Sequence, residues 1–284
     1  MLEVPYDFFI SPFETYLFLR RALIACLALS LGAAPIGILV VLRRMSLMGD
    51  ALSHSILPGV SLGFLLSGLS LPLMSLGGFI SALIVALLAG IVSRTTILKE
   101  DASLVGFYLI SLALGSLIVS VKGNNIDLVH ILFGNILAID QTALILVSVI
   151  TSVVLLLMAW IYRPLMIECF DPNFMRSLKG RGHLYEALFI VMIVLCMVAA
   201  FQTMGTLMAL GLVMLPAIIA RFWTQEILSL FVVAFLVALV SSYIGLLLSF
   251  HYNWPSGPAI LLVAGSFYVF SIIVGRFGVL RGQN

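Results

Sequence analysis

The sequence predicts an all-α fold, a polytopic helical membrane protein, and three observations predict it. Of its 284 residues, 63% are apolar and only 9% are charged, whereas a water-facing domain carries roughly 25% charged residues. Mean hydropathy is correspondingly high at +1.25. Apolar runs of about 20 residues, the length that takes a helix across roughly 30 Å of hydrocarbon, recur from end to end. Residues 1–284 therefore read as a single transmembrane domain of about 8–9 spanning helices.

The first span, Ala22–Leu42, is full length and ends in Arg43-Arg44. Glu3, Asp7 and Glu14 stand where a cleavable signal peptide has its basic region, so this reads as a retained helix. The second span, Ala51–Leu71, opens on Asp50 and contains His54 and Pro58, and Leu73–Val92 and Ser103–Val121 follow as the third and fourth. Gly123–Asp140 is interrupted by Asn124, Asn125, Asp127, His130, Asn135 and Asp140 around the apolar Leu128–Phe133. That pattern fits a helical piece packed at the outer face better than a span. Gln141–Tyr162 is the fifth span, and the longest polar connection, Tyr162 to Glu186, comes after it. Ala187–Phe201 and Gly205–Ile219 are short and joined at Gln202–Met204, which suggests a broken pair; Gly205, Gly211 and Pro216 mark the second for close approach or a bend. Leu228–Phe250 and Ala259–Val274 complete the set, with Ser256-Gly257-Pro258 as cap and start of the last helix.

Basic residues set the orientation, because cytoplasmic loops carry the excess of Lys and Arg. Placing the 163–186 connection in the cytoplasm puts Arg163, Arg176, Lys179 and Arg181 inside, and alternate counting adds Arg43, Arg44, Arg94, Lys99, Arg221, Arg276 and Arg281. Only Arg20, Arg21 and Lys122 of the 14 basic residues are then outside. The N terminus is expected outside and the C terminus inside.

Several function classes are excluded. A net charge of +2 points to no nucleic-acid partner, and Cys26, Cys169 and Cys196 are too far apart for a CxxC site or a disulfide framework. Lys179-Gly180-Arg181-Gly182 is the nearest approach to a phosphate loop and lacks the Gly-Lys-Ser/Thr ending. HExxH and GxSxG are absent too, so no enzyme is expected here, and if the protein pumps, another subunit hydrolyses the nucleotide.

Ionisable groups inside a bilayer are expensive and mark function by default. Asp50 and His54, spaced i, i+4, put a carboxylate and an imidazole on one helix face. Oxygen and nitrogen donors together suit divalent ions such as zinc and manganese. Pro58 has no N–H to offer the His54 carbonyl four residues back, which adds a third potential donor. The plainer alternative makes Asp50 the cap of the second span and gives His54 an interhelical hydrogen bond. Of the other histidines, His251 lies in an outward turn with Tyr252 and Trp254 as interface anchors, His130 near an outer vestibule, and His183 in the cytoplasmic connection. The 12 methionines are scattered and read as packing.

Several motifs resemble one known family. Val41-Leu42-Arg43-Arg44-Met45 with Gly49-Asp50-Ala51-Leu52-Ser53-His54 and Leu57-Pro58-Gly59-Val60 resembles the second-span signature of the zinc- and manganese-import ABC permeases. Leu132–Leu137, Phe170-Asp171-Pro172, Gly205–Arg221 and Pro255–Pro258 are similar to the same family in the same order, over about residues 15 to 275. Ser177–His183 departs from it in being more basic and richer in glycine.

The resemblance implies an integral permease of the bacterial cytoplasmic (inner) membrane, a homodimer in lipid. Two copies of an ATP-binding subunit would sit at its cytoplasmic face and an extracytoplasmic metal-binding protein would feed it. Asp50 and His54 are the positions onto which the family's metal site carries over, with Zn2+ or Mn2+ as transported substrate and no permanent cofactor. Of the two inward connections open to the ATPase, 163–186 and Arg221–Glu226, resemblance to many-helix importers favours the second, with Phe222 and Trp223 as apolar anchors. A stand-alone, ion-coupled secondary metal carrier is the alternative. It predicts related, inverted halves and more than one buried carboxylate, whereas the sequence shows no inverted repeat and offers only Asp50.

Overall fold

The structure, a computed structural model, describes residues 8–68, 70–121, 136–170 and 182–279. These are helical, with no strand among the described residues. A short helix α1 (Ser11–Thr15) leads into α2 (Leu17–Leu42), followed by α3 (Ser46–Ser55), α4 (Leu57–Ser67), α5 (Leu71–Thr95) and α6 (Glu100–Val121). A 3₁₀ turn at Ile136–Ala138 precedes α7 (Gln141–Phe170), α8 (Gly182–Met204), α9 (Thr206–Arg221), α10 (Ile227–Tyr252) and α11 (Ser256–Val274). Seven of these, α2, α5, α6, α7, α8, α10 and α11, are long and apolar enough to cross a bilayer. Counted with the α3–α4 pair and the 16-residue α9, the described residues make nine passages, within the 8–9 expected from the sequence.

Burial separates the centre of the bundle from its rim. The apolar window of α2 is 72% buried and that of α8 is 61%, against 22% to 33% for α5, α6, α7, α10 and α11. Helix α2 packs on α7, α8, α9 and α10, while α3 and α4 pack on α5 and α6. The rim helices stay apolar on their outer faces, with Leu66, Ile91, Leu117, Leu156 and Leu262 all exposed. Helices hydrophobic all round face lipid on one side and protein on the other.

The element boundaries correct several expectations. The second passage begins at Ser46, five residues before Ala51, and is broken at Ile56 between α3 and α4. Pro58 is the reason: it cannot continue the ladder of α3, but it fits the first turn of α4. Helix α7 runs past Arg163 and Pro164 to Phe170, and α8 starts at Gly182, so the sixth passage is a full 23 residues and not half of a broken pair. Only Gly205 separates α8 from α9; its φ of +80° suits glycine, and its N–H still closes α8 on the Phe201 carbonyl. Of the Gly123–Asp140 stretch, 123–135 lies outside the described residues, as does 171–181. Asp140 caps α7, its Oδ1 accepting the Ala143 N–H at 2.8 Å.

Both ends of the bundle are tied down. At the end bearing α1, Phe8 stacks on His251 at 4.0 Å, Phe13 on Tyr243 at 5.1 Å, and the Tyr243 hydroxyl donates to the Phe9 carbonyl. Tyr252 stacks on Trp254 beyond them. At the opposite end the Phe277 N–H donates to the Phe222 carbonyl, and the Arg43 guanidinium lies 5.0 Å over the Phe189 ring.

Candidate functional site

The α3–α4 break builds the site. Helix α3 is short and made of small and flexible residues, and it sits in the bundle interior with Met48, Ala51, Leu52 and Ser53 buried. Ser53 and Ser55 turn their hydroxyls back onto the Gly49 and Ala51 carbonyls, and Ser53 also meets the Met197 sulfur at 3.6 Å. At the break, the Ile56 N–H folds back on the His54 carbonyl, so this carbonyl is not the free donor expected from Pro58. The Ser55 carbonyl instead accepts two hydroxyls, from Ser81 of α5 at 2.7 Å and Ser111 of α6 at 3.3 Å. Broken helices persist in lipid where neighbouring side chains supply such bonds.

Asp50 and His54 lie on one face of α3. Asp50 is inside the helix, four residues after its start, and makes no cap; the capping alternative is removed. The His54 side chain has no hydrogen bond among the described residues: its Nδ1 is buried and unpartnered. Its Nε2 is 3.6 Å from Asp50 Oδ1, beyond hydrogen-bonding range. That separation fits a shared ion, because two donors about 2.0–2.2 Å from one metal at a tetrahedral angle are about 3.4 Å apart. The Asp50 side chain is 42% exposed and that of His54 21%, so the pair is reachable from outside the chain. No group of three His, Cys, Asp or Glu side chains forms a metal cluster among the described residues, so the pair alone is an incomplete shell.

His251 is held by its Nδ1 contact to the Leu247 carbonyl at 2.9 Å and by stacking on Phe8, in keeping with a structural role. His130 and the His183 side chain lie outside the described residues. Five of the methionines scattered in sequence, Met48, Met158, Met192, Met197 and Met214, belong to the same buried core, which also holds Ala51 and Leu52 of α3. Two of them, Met197 and Met214, reach Gly49.

Sequence reasoning missed other residues. Tyr108 of α6 stacks its ring over His54, with centroids 5.9 Å apart and planes at 28°; nothing in an apolar run singles it out. Glu168, counted by position with the polar connection, is buried in the last turn of α7, packed against Gly182 at the start of α8 with its Oε2 unpartnered. Asp50 is therefore not the sole embedded carboxylate. Phe222 and Trp223 are engaged within their own chain. Phe222 meets Tyr268, and the Trp223 indole N–H donates to Ser271 at 3.0 Å beside an apolar groove on α10 and α11. The outward groups of that turn are Arg221, Gln225 and Glu226, together with the Trp223 ring edge.

A nine-passage bundle with a broken helix presenting a carboxylate–imidazole pair defines a membrane transport protein. The chain belongs to the ABC 3 transport family, whose model matches residues 15–275. It is a multi-pass permease subunit of an ABC importer in the bacterial inner membrane. It is 32% identical over 270 residues to the manganese import system permease protein ScaB of Streptococcus parasanguinis, covering 94% of each chain. It is 33% identical over 275 residues to the manganese transport system membrane protein MntC of Halalkalibacterium halodurans, covering 96% of this chain and 93% of the other. Among solved structures, PsaBC from Streptococcus pneumoniae in complex with Fab matches with a TM-score of 0.85 and 30% identity, over 100% of this chain and 98% of that one.

Proposed function

We propose that this permease admits manganese, with zinc accepted by the same ligands, and that Asp50 and His54 are where the ion touches the chain. The 3.6 Å separation of two donors not hydrogen-bonded to each other carries the reading. Manganese is favoured because two relatives that match nearly end to end are described as manganese permeases; a carboxylate–imidazole pair by itself accommodates both ions. The shell is completed by a second copy of the chain meeting the first at a two-fold axis, so that two carboxylates and two imidazoles line a shared path. ATP is hydrolysed by two copies of a separate subunit at the end that carries Arg221–Glu226. An extracytoplasmic metal-binding protein delivers the ion at the opposite end. Phe222 is packed on Tyr268, and the ATPase contact falls on the outward groups of that turn, Arg221, Trp223, Gln225 and Glu226.

The test is uptake of radioactive manganese by cells lacking this chain, with the ATPase and binding protein intact. Restoring the chain is expected to restore uptake and to bring the ATPase down with the purified permease in equal copies. Zinc uptake restored without manganese uptake would reverse the ion assignment. Orientation is read separately: a cysteine at Asn253 should be labelled by an impermeant reagent from outside intact cells, and one at Gln225 only after the membrane is opened. The reverse pattern would invert the topology.

A further inference from the structure

We propose that one face of α6 is the positioning element of the ion site: Tyr108 fixes the His54 imidazole, and Ser111 fixes the helix break directly behind it. The inference rests on the reading of Asp50 and His54 as ion ligands and names what holds one of them in place.

The imidazole needs such a support. The χ2 torsion of histidine is broad, so the helix by itself leaves the ring free to turn. Elsewhere a hydrogen bond from the second ring nitrogen sets the orientation of a metal-binding histidine. Here that bond is missing among the described residues, since Nδ1 is buried without a partner and Nε2 is 3.6 Å from Asp50. The ring-to-ring contact with Tyr108, 5.9 Å between centroids and 28° between planes, is the aromatic contact described for His54.

Tyr108, Ser111 and Gly115 are spaced i, i+3, i+7 and so share one face of α6. They meet three successive points of the second passage. Tyr108 covers the His54 ring, the Ser111 hydroxyl donates to the Ser55 carbonyl at 3.3 Å, and Gly115 leaves room for Leu57 and Pro58. Ser81 holds the same Ser55 carbonyl from α5 at 2.7 Å, using its second lone pair. A ligand constellation works only when held within about 0.5 Å and 10–20°. A shift of α6 along the break therefore rotates or releases the imidazole, which makes this face the means by which helix movement reaches the ion.

A tyrosine that merely filled space would be replaced equally well by any apolar side chain of similar bulk, whereas a ring platform is replaced only by another ring. The test uses the purified permease–ATPase complex, titrated with Mn2+ alone, with free ion read from its paramagnetic resonance signal. Tyr108→Phe is expected to keep the wild-type Kd within about twofold, while Tyr108→Leu raises it about tenfold or more, as loss of an orienting partner does at other metal sites. Ser111→Ala moves Kd in the same direction. Should Leu lower the yield of complex, Tyr108→Met, which refills the volume without a ring, replaces it in the comparison. A Kd unchanged in the ring-less variants, or raised as much by Phe as by Leu, overturns the proposal. Asp50→Asn and His54→Ala separate this from the site reading. If both bind Mn2+ as wild type does, the site assignment fails and takes the inference with it. If both lose binding while Tyr108→Leu keeps it, only the role of Tyr108 falls.

Discussion

Asp50→Asn is expected to lower manganese uptake by a hundredfold or thereabouts, with normal amounts of permease in the membrane. Removing even the hydrogen-bonding partner of a metal ligand costs about 10–100-fold in affinity, and a ligand itself is worth no less. Asn keeps the size and polarity of Asp but loses the anionic charge. A helix cap would survive this change, because Asn caps about as well as Asp. The structure sharpens the comparison, since Asp50 lies within α3 and has no terminal N–H to cap. In a two-fold dimer one substitution removes both carboxylates from the path, leaving the imidazoles to strip an ion of its water. His54→Ala should have an effect of similar size, and the double variant should be little worse than either single one because the donors act on one ion. The measurement is initial uptake rate at matched membrane level. Near-normal rates in both single variants would mean the ion passes without touching them.

The sequence made Asp50 and His54 legible because their cost is local. Two ionisable groups in an apolar run are visible without a fold, and i, i+4 spacing pairs them on any helix. The nine passages were legible for the same reason, since hydropathy reports the thickness of the hydrocarbon. Where helices ended was less so. Helix α7 continues through Arg163, Pro164 and Glu168 to Phe170, because a helix need not stop where the lipid does. The start of α3 at Ser46 was hidden because Arg43–Ser46 is too polar to extend an apolar run. The supports of the site were out of reach altogether. Tyr108 lies 54 residues from His54 and Ser81 lies 26 from Ser55, and both look like ordinary members of spanning helices until α5 and α6 pack against the break. The hydrogen bond from the Trp223 indole to Ser271, 48 residues on, was equally invisible, although the side chain stays 38% exposed at the surface expected to face the ATPase.

Gly59→Ala is expected to cost the permease about 1–3 kcal/mol, although it adds a single methyl group. Helices α4 and α5 approach through glycine. A Cβ at Gly59 would run into the Gly77 carbonyl and lie 2.7 Å from Ser81 Cβ, and one at Gly63 would lie 2.9 Å from the Leu73 carbonyl. Gly59 and Gly63 form the GxxxG spacing by which membrane helices bring their backbones together, where packing must replace the missing hydrophobic drive. The obstacle at Gly59 is backbone, which cannot swing aside as a flexible side-chain end would. To admit the methyl, α4 and α5 must separate, and Ser81 then draws away from the Ser55 carbonyl at the break. Gly90→Ala on the same α5 is the control, since a Cβ there meets nothing within 4 Å. It should be neutral or raise stability by about 0.5–1 kcal/mol, the usual gain from replacing a helical glycine. Thermal unfolding of the purified complex in detergent, read beside membrane level and uptake, measures both. Gly59→Ala should unfold earlier and transport less while Gly90→Ala does neither, and equal midpoints for the two variants would show that α4 and α5 are free to move apart.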